Sequence, residues 1–144
     1  MTFNKICLGT IFVVAGLTVV ASQGRRDHVA GAGDVTIGGV DVSFGMAANS
    51  GPNGENPKGH IMLDWPTGST HFAIDCLAVS GNNAVIGGSG PEGNILILIQ
   101  DNGEPGANAD RFYIVPGQTC GGFYTDPGPL PAISRGNIQV SDGI

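Results

Sequence analysis

The chain has 144 residues, a length that suits one domain with its own hydrophobic core. Only 12% of the residues are charged and the formal net charge is −6, which disfavours nucleic acids and anionic membranes as partners, because both are bound through basic patches. The 25 glycines and 9 prolines exclude long helices. Short apolar segments between many turns predict an all-β domain.

The first 22 residues have the layout of a secretory signal peptide. Lys5 precedes an almost wholly apolar run, Ile6–Val20, and small residues follow it. The run is shorter than the roughly 20 apolar residues of a membrane-spanning helix, and an uncleaved anchor is the alternative. We expect a signal peptide over residues 1–22, a single secreted β domain over residues 23–144, and no membrane span in the mature chain.

Loss of the signal peptide removes Cys7 and leaves Cys76 and Cys120. Two cysteines in an exported domain most often form a disulfide bond, and two buried free thiols are the alternative. The chain-entropy model attributes about 4 kcal/mol of stability to closing a loop of this length.

The first half of the mature chain predicts short strands. The polar and glycine-rich segment Gln23–Ala32 predicts an irregular start, and Asp34–Ile37 predicts a weak strand. Apolar and polar residues alternate over Val40–Met46, which is typical of a half-buried strand. The turn-forming residues of Ala48–Lys58 predict a loop.

The next two predicted strands are His60–Trp65 and Thr70–Val79, joined by a four-residue loop. This register places two charge pairs on the polar face, Asp64 opposite His71 and His60 opposite Asp75. Exposed pairs of this kind contribute at most about 1 kcal/mol each. The alternative interpretation is a His/Asp cluster that binds a metal or performs acid–base chemistry.

A tight hairpin turn at Gly81-Asn82 pairs Val79 with Ala84. The apolar face changes phase between the two ends of the Thr70–Val79 strand, which predicts a β-bulge near Asp75–Leu77. The glycine-rich segment Gly87–Gly93 predicts a turn.

Ile95–Ile99 is apolar at every position, which predicts a central strand covered on both faces. Arg111–Val115 is the predicted returning strand, Pro116–Ser134 is irregular, and Asn137–Val140 is a short last strand. The count is about eight strands with short connections, which predicts an antiparallel meander folded into a sandwich or small barrel.

The segment between the central and returning strands is the densest group of polar ligands in the chain. Its carboxylate and amide oxygens are of the type that binds Ca²⁺, and they predict a calcium site formed by Asp101, Asn102, Glu104 and Asp110. The spacing differs from that of an EF-hand loop. The simpler interpretation is a rigid hairpin loop, in which Asp and Asn cap turns and proline and glycine set the backbone angles. No other cofactor is expected.

Four segments resemble a group of small secreted bacterial β-rich proteins of uncharacterised function: Ser50–Pro57, Cys76–Asn82, Asp101–Gly106 with Asp110, and Gly136–Ile138. The second segment is a Cys-Leu-x-Val-x-Gly-Asn sequence and the third an Asp-Asn-Gly-Glu-Pro-Gly loop. The resemblance implies a secreted all-β module, implies no substrate, and supports the pairing of Cys76 with Cys120.

Catalytic patterns are missing, since Pro91 stands where a nucleophile elbow around Ser89 requires glycine, and the sequence has no His-Glu-x-x-His zinc motif. We therefore expect a non-enzymatic extracellular β module for surface interaction or self-association, with an unknown partner. Its expected contacts are the acidic loop and the faces of the Ile95–Ile99 strand. The second hypothesis is a small-molecule-binding barrel of the lipocalin or avidin kind, with a cavity lined by Phe44, Trp65 and Phe72. The third is a hydrolase that uses the His/Asp cluster.

Overall fold

Eight β-strands form the part of the chain that the computed structural model describes, residues 25–118, 120 and 130–143. The predicted signal peptide and Cys7 lie outside this part. The strands are β1 (Asp27–Ile37), β2 (Val40–Ser50), β3 (Lys58–Trp65), β4 (Gly68–Ser80), β5 (Asn83–Gly90), β6 (Gly93–Gln100), β7 (Arg111–Pro116) and β8 (Ile133–Ser141).

All eight strands belong to one antiparallel sheet with the order β7-β6-β5-β4-β3-β2-β1-β8. Each of the first six strands pairs with the next along the chain, and β8 returns to pair with β1. A single bridge between Arg111 and Ala132 links the start of β7 to the residue before β8. The sheet is therefore a nearly closed barrel, which confirms the predicted meander of eight strands.

A pair of stacked aromatic rings lies in the barrel interior. Phe44 of β2 and Phe112 of β7 stack with ring centroids 4.1 Å apart and an interplanar angle of 11°, although the two strands are far apart in the sheet order. Gly33 lies opposite Phe44 in β1, and a Cβ atom there would be 3.2 Å from the Phe44 ring and closer still to the Arg135 carbonyl oxygen. Glycine at this position lets the Phe44 ring lie in the interior.

The prediction that Ile95–Ile99 is covered on both faces is confirmed, because every residue of the run is at most 7% exposed. Ile95, Ile97 and Ile99 belong to the interior core, whereas Leu96 and Leu98 point to the outer face of the sheet. Leu96 pairs with Gly87 of β5, where the disulfide bond lies.

The disulfide bond joins Cys76 of β4 to Cys120, with Cα atoms 5.9 Å apart. A Cβ atom on Gly87 would lie 2.4 Å from the Cys76 sulfur, so the bond packs directly against the glycine backbone of β5. The register of β4 against β5 shifts between Ile74 and Cys76, which confirms the predicted β-bulge. The hairpin that pairs Val79 with Ala84 is also as predicted.

Two predictions from glycine-rich segments are wrong. The predicted irregular start belongs to β1 from Asp27 onward, where Val29 is fully buried between two neighbouring strands. The segment Gly87–Gly93 is predicted to be a turn, but its residues up to Gly90 belong to β5 and Gly93 begins β6. Only Pro91-Glu92 form the turn. The glycines of the segment serve packing, since a Cβ atom on Gly90 would lie 2.7 Å from the Phe72 ring.

The described residues contain no helix that is long and apolar enough to cross a membrane.

Candidate functional site

The acidic loop, Asp101–Asp110, lies along the free edge of β8, where it occupies the gap that β7 leaves in the barrel. Asn108 donates a backbone hydrogen bond to the Ile133 carbonyl, and Ile133 donates one to the Asp110 carbonyl. The Asp110 side chain is fully buried. Its two oxygens accept hydrogen bonds from the backbone N–H groups of Asn102 and Ile138, each at 2.8 Å.

The other two acids of the loop also bind β8 or its side chains. Asp101 accepts hydrogen bonds from the Val140 N–H at 2.9 Å and from the Gly103 N–H at 3.1 Å. Glu104 accepts one from the Asn137 side-chain amide at 3.0 Å. The loop carboxylates therefore accept hydrogen bonds from N–H groups of β8, on the edge of this strand that does not pair with β7.

The structure thus brings Asp101, Asn102 and Asp110 together, but their oxygens and amides bind one another and the backbone. Asn102 donates from its side chain to the Ala109 carbonyl and to the Gln100 side chain. In the described part of the chain, no group of three or more His, Cys, Asp or Glu side chains is arranged to hold a metal ion. Calcium binding by the loop stays a prediction.

The predicted charge pairs between β3 and β4 are wrong, because the connecting turn has two residues instead of four. Trp65 pairs with Gly68, so that Asp64 faces Ser69 and His60 faces Ala73. His71 faces Met62, and Asp75 is the bulged residue of β4, where it accepts a hydrogen bond from the Ser89 hydroxyl. His60, Asp64, His71 and Asp75 are all exposed on the outer face of the sheet.

A different site lies at the opposite end of the barrel from the acidic loop, where β3, β5 and β7 end and β4 and β6 begin. A cavity of about 270 Å³ opens there into the interior, and we call it the mouth cavity. It is lined by Leu63, Trp65, Thr70, Phe72, Glu92, Gly93, Asn94, Ile95, Ile114, Pro116 and Gly117. Its floor is apolar, because the side chains that point inward from these strands are core residues.

A second, polar cavity of about 300 Å³ adjoins the mouth cavity, and we call it the rim cavity. It is lined by Trp65, Thr67, Gly68, Ser69, Thr70 and Glu92. Three residues, Trp65, Thr70 and Glu92, belong to both cavities. Of the residues predicted to line a binding cavity, Trp65 and Phe72 do so, whereas Phe44 fills the interior against Phe112.

The alternation of β3 and β4 was the signal that placed Trp65 and Phe72 on the inner face. Glu92 carries no comparable signal, because the sequence predicts a turn over Gly87–Gly93. Glu92 lies in the Pro91-Glu92 turn between β5 and β6, and it enters the site only because the β5–β6 and β3–β4 turns meet at the same end of the barrel.

Two carboxyl groups outside the cavities have shifted pKa values. Burial raises the pKa of Asp27, and the hydrogen bond from the Gly143 N–H opposes this shift. The hydrogen bond from the Ser43 hydroxyl, followed by that from Arg135, lowers the pKa of Asp34. Asp27 begins β1 and Asp34 lies between β2 and β8, and neither residue lines the mouth cavity.

Comparison with protein-family models, curated proteins and solved structures found no match for this chain.

Proposed function

We propose that this chain is an exported, non-enzymatic β-barrel module that acts by binding a small ligand in the mouth cavity. The observation that carries the proposal is a cavity of about 270 Å³ lined by Trp65 and Phe72 at an open end of the barrel. Ligand sites are typically concave, largely apolar and preformed, and the mouths of β-barrels are a common place for them.

The geometry favours this function over contact through the acidic loop or the Ile95–Ile99 strand. The carboxylates of Asp101 and Asp110 accept hydrogen bonds from backbone amides, and both faces of the strand are buried. Groups that are already bound within the fold are not available to a partner without breaking those bonds.

Export is supported by the disulfide between Cys76 and Cys120, because such bonds persist in oxidising compartments and are rare in the cytosol. The absence of an enzymatic activity is supported by the position of His60 and His71 on the exposed outer face. Catalytic acid–base groups work within reach of a bound substrate, and these histidines do not line the mouth cavity.

Trp65 allows a direct test, because it is the only tryptophan of the chain and lines the cavity. We expect neutral 2-phenylethanol to change the Trp65 emission saturably, with a Kd in the range of about 1 mM for so small a molecule. Thr70→Phe places a ring where the two cavities meet and should abolish the saturable change.

Ala73→Phe is the matched control, because it adds the same ring to the same strand on the outer, exposed face. The control variant should bind as the wild type does. Equal binding by the wild type and a correctly folded Thr70→Phe variant would refute the mouth cavity as the site, and a linear, unsaturable response of the wild type would refute binding.

A further inference from the structure

We infer that the ligand of the mouth cavity is a small amphipathic amine, whose apolar part enters the mouth cavity and whose ammonium group lies in the rim cavity beside Glu92. This inference rests on the proposed function and specifies its ligand class.

The two cavities differ in polarity across a shared boundary. The mouth cavity extends inward to Leu63, Phe72 and Ile114, which are buried core residues. The residues that line only the rim cavity are Thr67, Gly68 and Ser69, and none of them is apolar. A ligand that occupies both must therefore have an apolar end and a polar end.

Glu92 gives the polar end its charge. It is the only charged residue among those that line either cavity. In the described ranges, no Arg or Lys forms an ion pair with Glu92, and no residue donates a hydrogen bond to it. A carboxylate with no cation beside it attracts a cationic ligand and repels an anionic one.

Trp65 supports the same charge preference, because it borders both cavities. An indole ring attracts an ammonium group through its quadrupole, and this attraction adds to that of a nearby carboxylate. The boundary between the cavities thus presents an aromatic ring and a carboxylate, two groups that together favour an ammonium over a hydroxyl or a carboxylate.

The size of the mouth cavity limits the apolar part of the ligand. At about 270 Å³, it lies just below the usual range for sites that bind drug-sized molecules, roughly 300–1,000 Å³. It accommodates one ring or a short branched chain, and it is too small for a sterol or a long acyl chain. A single-ring amine is therefore a suitable test molecule.

Three probes that share a phenyl group test the inference: 2-phenylethylamine, 2-phenylethanol and 3-phenylpropionate. Titrations followed by Trp65 emission should give an affinity for the amine about 3- to 10-fold above that for the alcohol, with the carboxylate weakest. Glu92→Gln should remove most of the preference for the amine and leave the affinity for the alcohol unchanged.

Glu104→Gln is the matched control, because it removes the same charge in the acidic loop at the other end of the barrel and keeps an oxygen for the Asn137 amide. It should retain the preference. Equal affinities for amine and alcohol, or an equal loss in both Glu→Gln variants, would overturn the inference while leaving the mouth cavity as a binding site. If none of the three probes binds the wild type, the proposed function fails as well.

Discussion

Asp110 is the residue through which the acidic loop is expected to stabilise the barrel. Its buried carboxylate accepts hydrogen bonds from the N–H groups of Asn102 and Ile138, each at 2.8 Å. A hydrogen bond to a charged group contributes about 1.5–3 kcal/mol, and a buried N–H left without a partner carries the full desolvation cost. Asp110→Ala should therefore lower the free energy of unfolding by about 3–6 kcal/mol.

Asp110→Asn separates the loss of charge from the loss of volume. The amide oxygen can accept only one of the two hydrogen bonds, and its NH₂ group then faces the other N–H donor. We expect this variant to lose the larger part of the stability that Asp110→Ala loses. It also provides a readout if Asp110→Ala does not fold, since domains of this size are stable by only about 5–15 kcal/mol.

Urea unfolding followed by circular dichroism measures both variants, with Glu104→Gln as the control. Glu104 is exposed, so its substitution should change the free energy of unfolding by no more than about 0.5 kcal/mol. A loss below about 1 kcal/mol in Asp110→Ala would show that the loop does not close the barrel as argued.

Three further predictions concern the disulfide, a buried carboxyl group and calcium. Substitution of both Cys76 and Cys120 by serine should cost about 4 kcal/mol, because the bond closes a loop with a sequence separation of 44, and an unchanged urea midpoint would contradict this. Asp27→Asn should raise the melting temperature at about pH 7, since a folded-state pKa above 3.8 makes the ionised carboxyl destabilising. The destabilisation by the ionised carboxyl disappears as the pH falls through the folded-state pKa, so the gain in melting temperature of the variant should shrink toward about pH 4. A gain that stays constant with pH would show that the charge of Asp27 is not its cause. Calcium at about 5 mM should leave the melting temperature unchanged, because the loop carboxylates already bind amides; a rise of several degrees relative to chelator-treated protein would establish a site.

The sequence predicted the features that depend on periodicity. The unbroken apolar run Ile95–Ile99 identified the central strand, and the phase change in β4 identified the bulge beside Cys76. Both follow from the alternation of side chains across a strand, which is local information. The eight-stranded meander followed from short connections between such strands.

Features that depend on packing between distant segments could not be predicted. The glycines of β5 predict a turn, because nothing in the sequence shows that the Phe72 ring and the disulfide lie against them. The predicted β3–β4 register is wrong by two residues for a different reason, since Gly68 pairs with Trp65 instead of belonging to the loop. Turn length decides register, and here both lengths kept the apolar face intact.

The acidic loop shows how the same residue types serve two purposes. Asp and Asn oxygens bind calcium in one setting and backbone N–H groups in another. The choice depends on what lies opposite the loop, which here is the free edge of β8, more than 25 residues away in sequence. The mouth cavity likewise arises only where the β3–β4 and β5–β6 turns meet.

Amide chemical-shift mapping with 2-phenylethylamine tests the central claim most directly, because it reports where the ligand binds. Saturable shifts should concentrate at the mouth, at Trp65, Thr70 and Glu92, with little change in the acidic loop at the other end of the barrel. Shifts confined to the acidic loop or to the outer face of β3 and β4, or none at millimolar amine, would contradict the account.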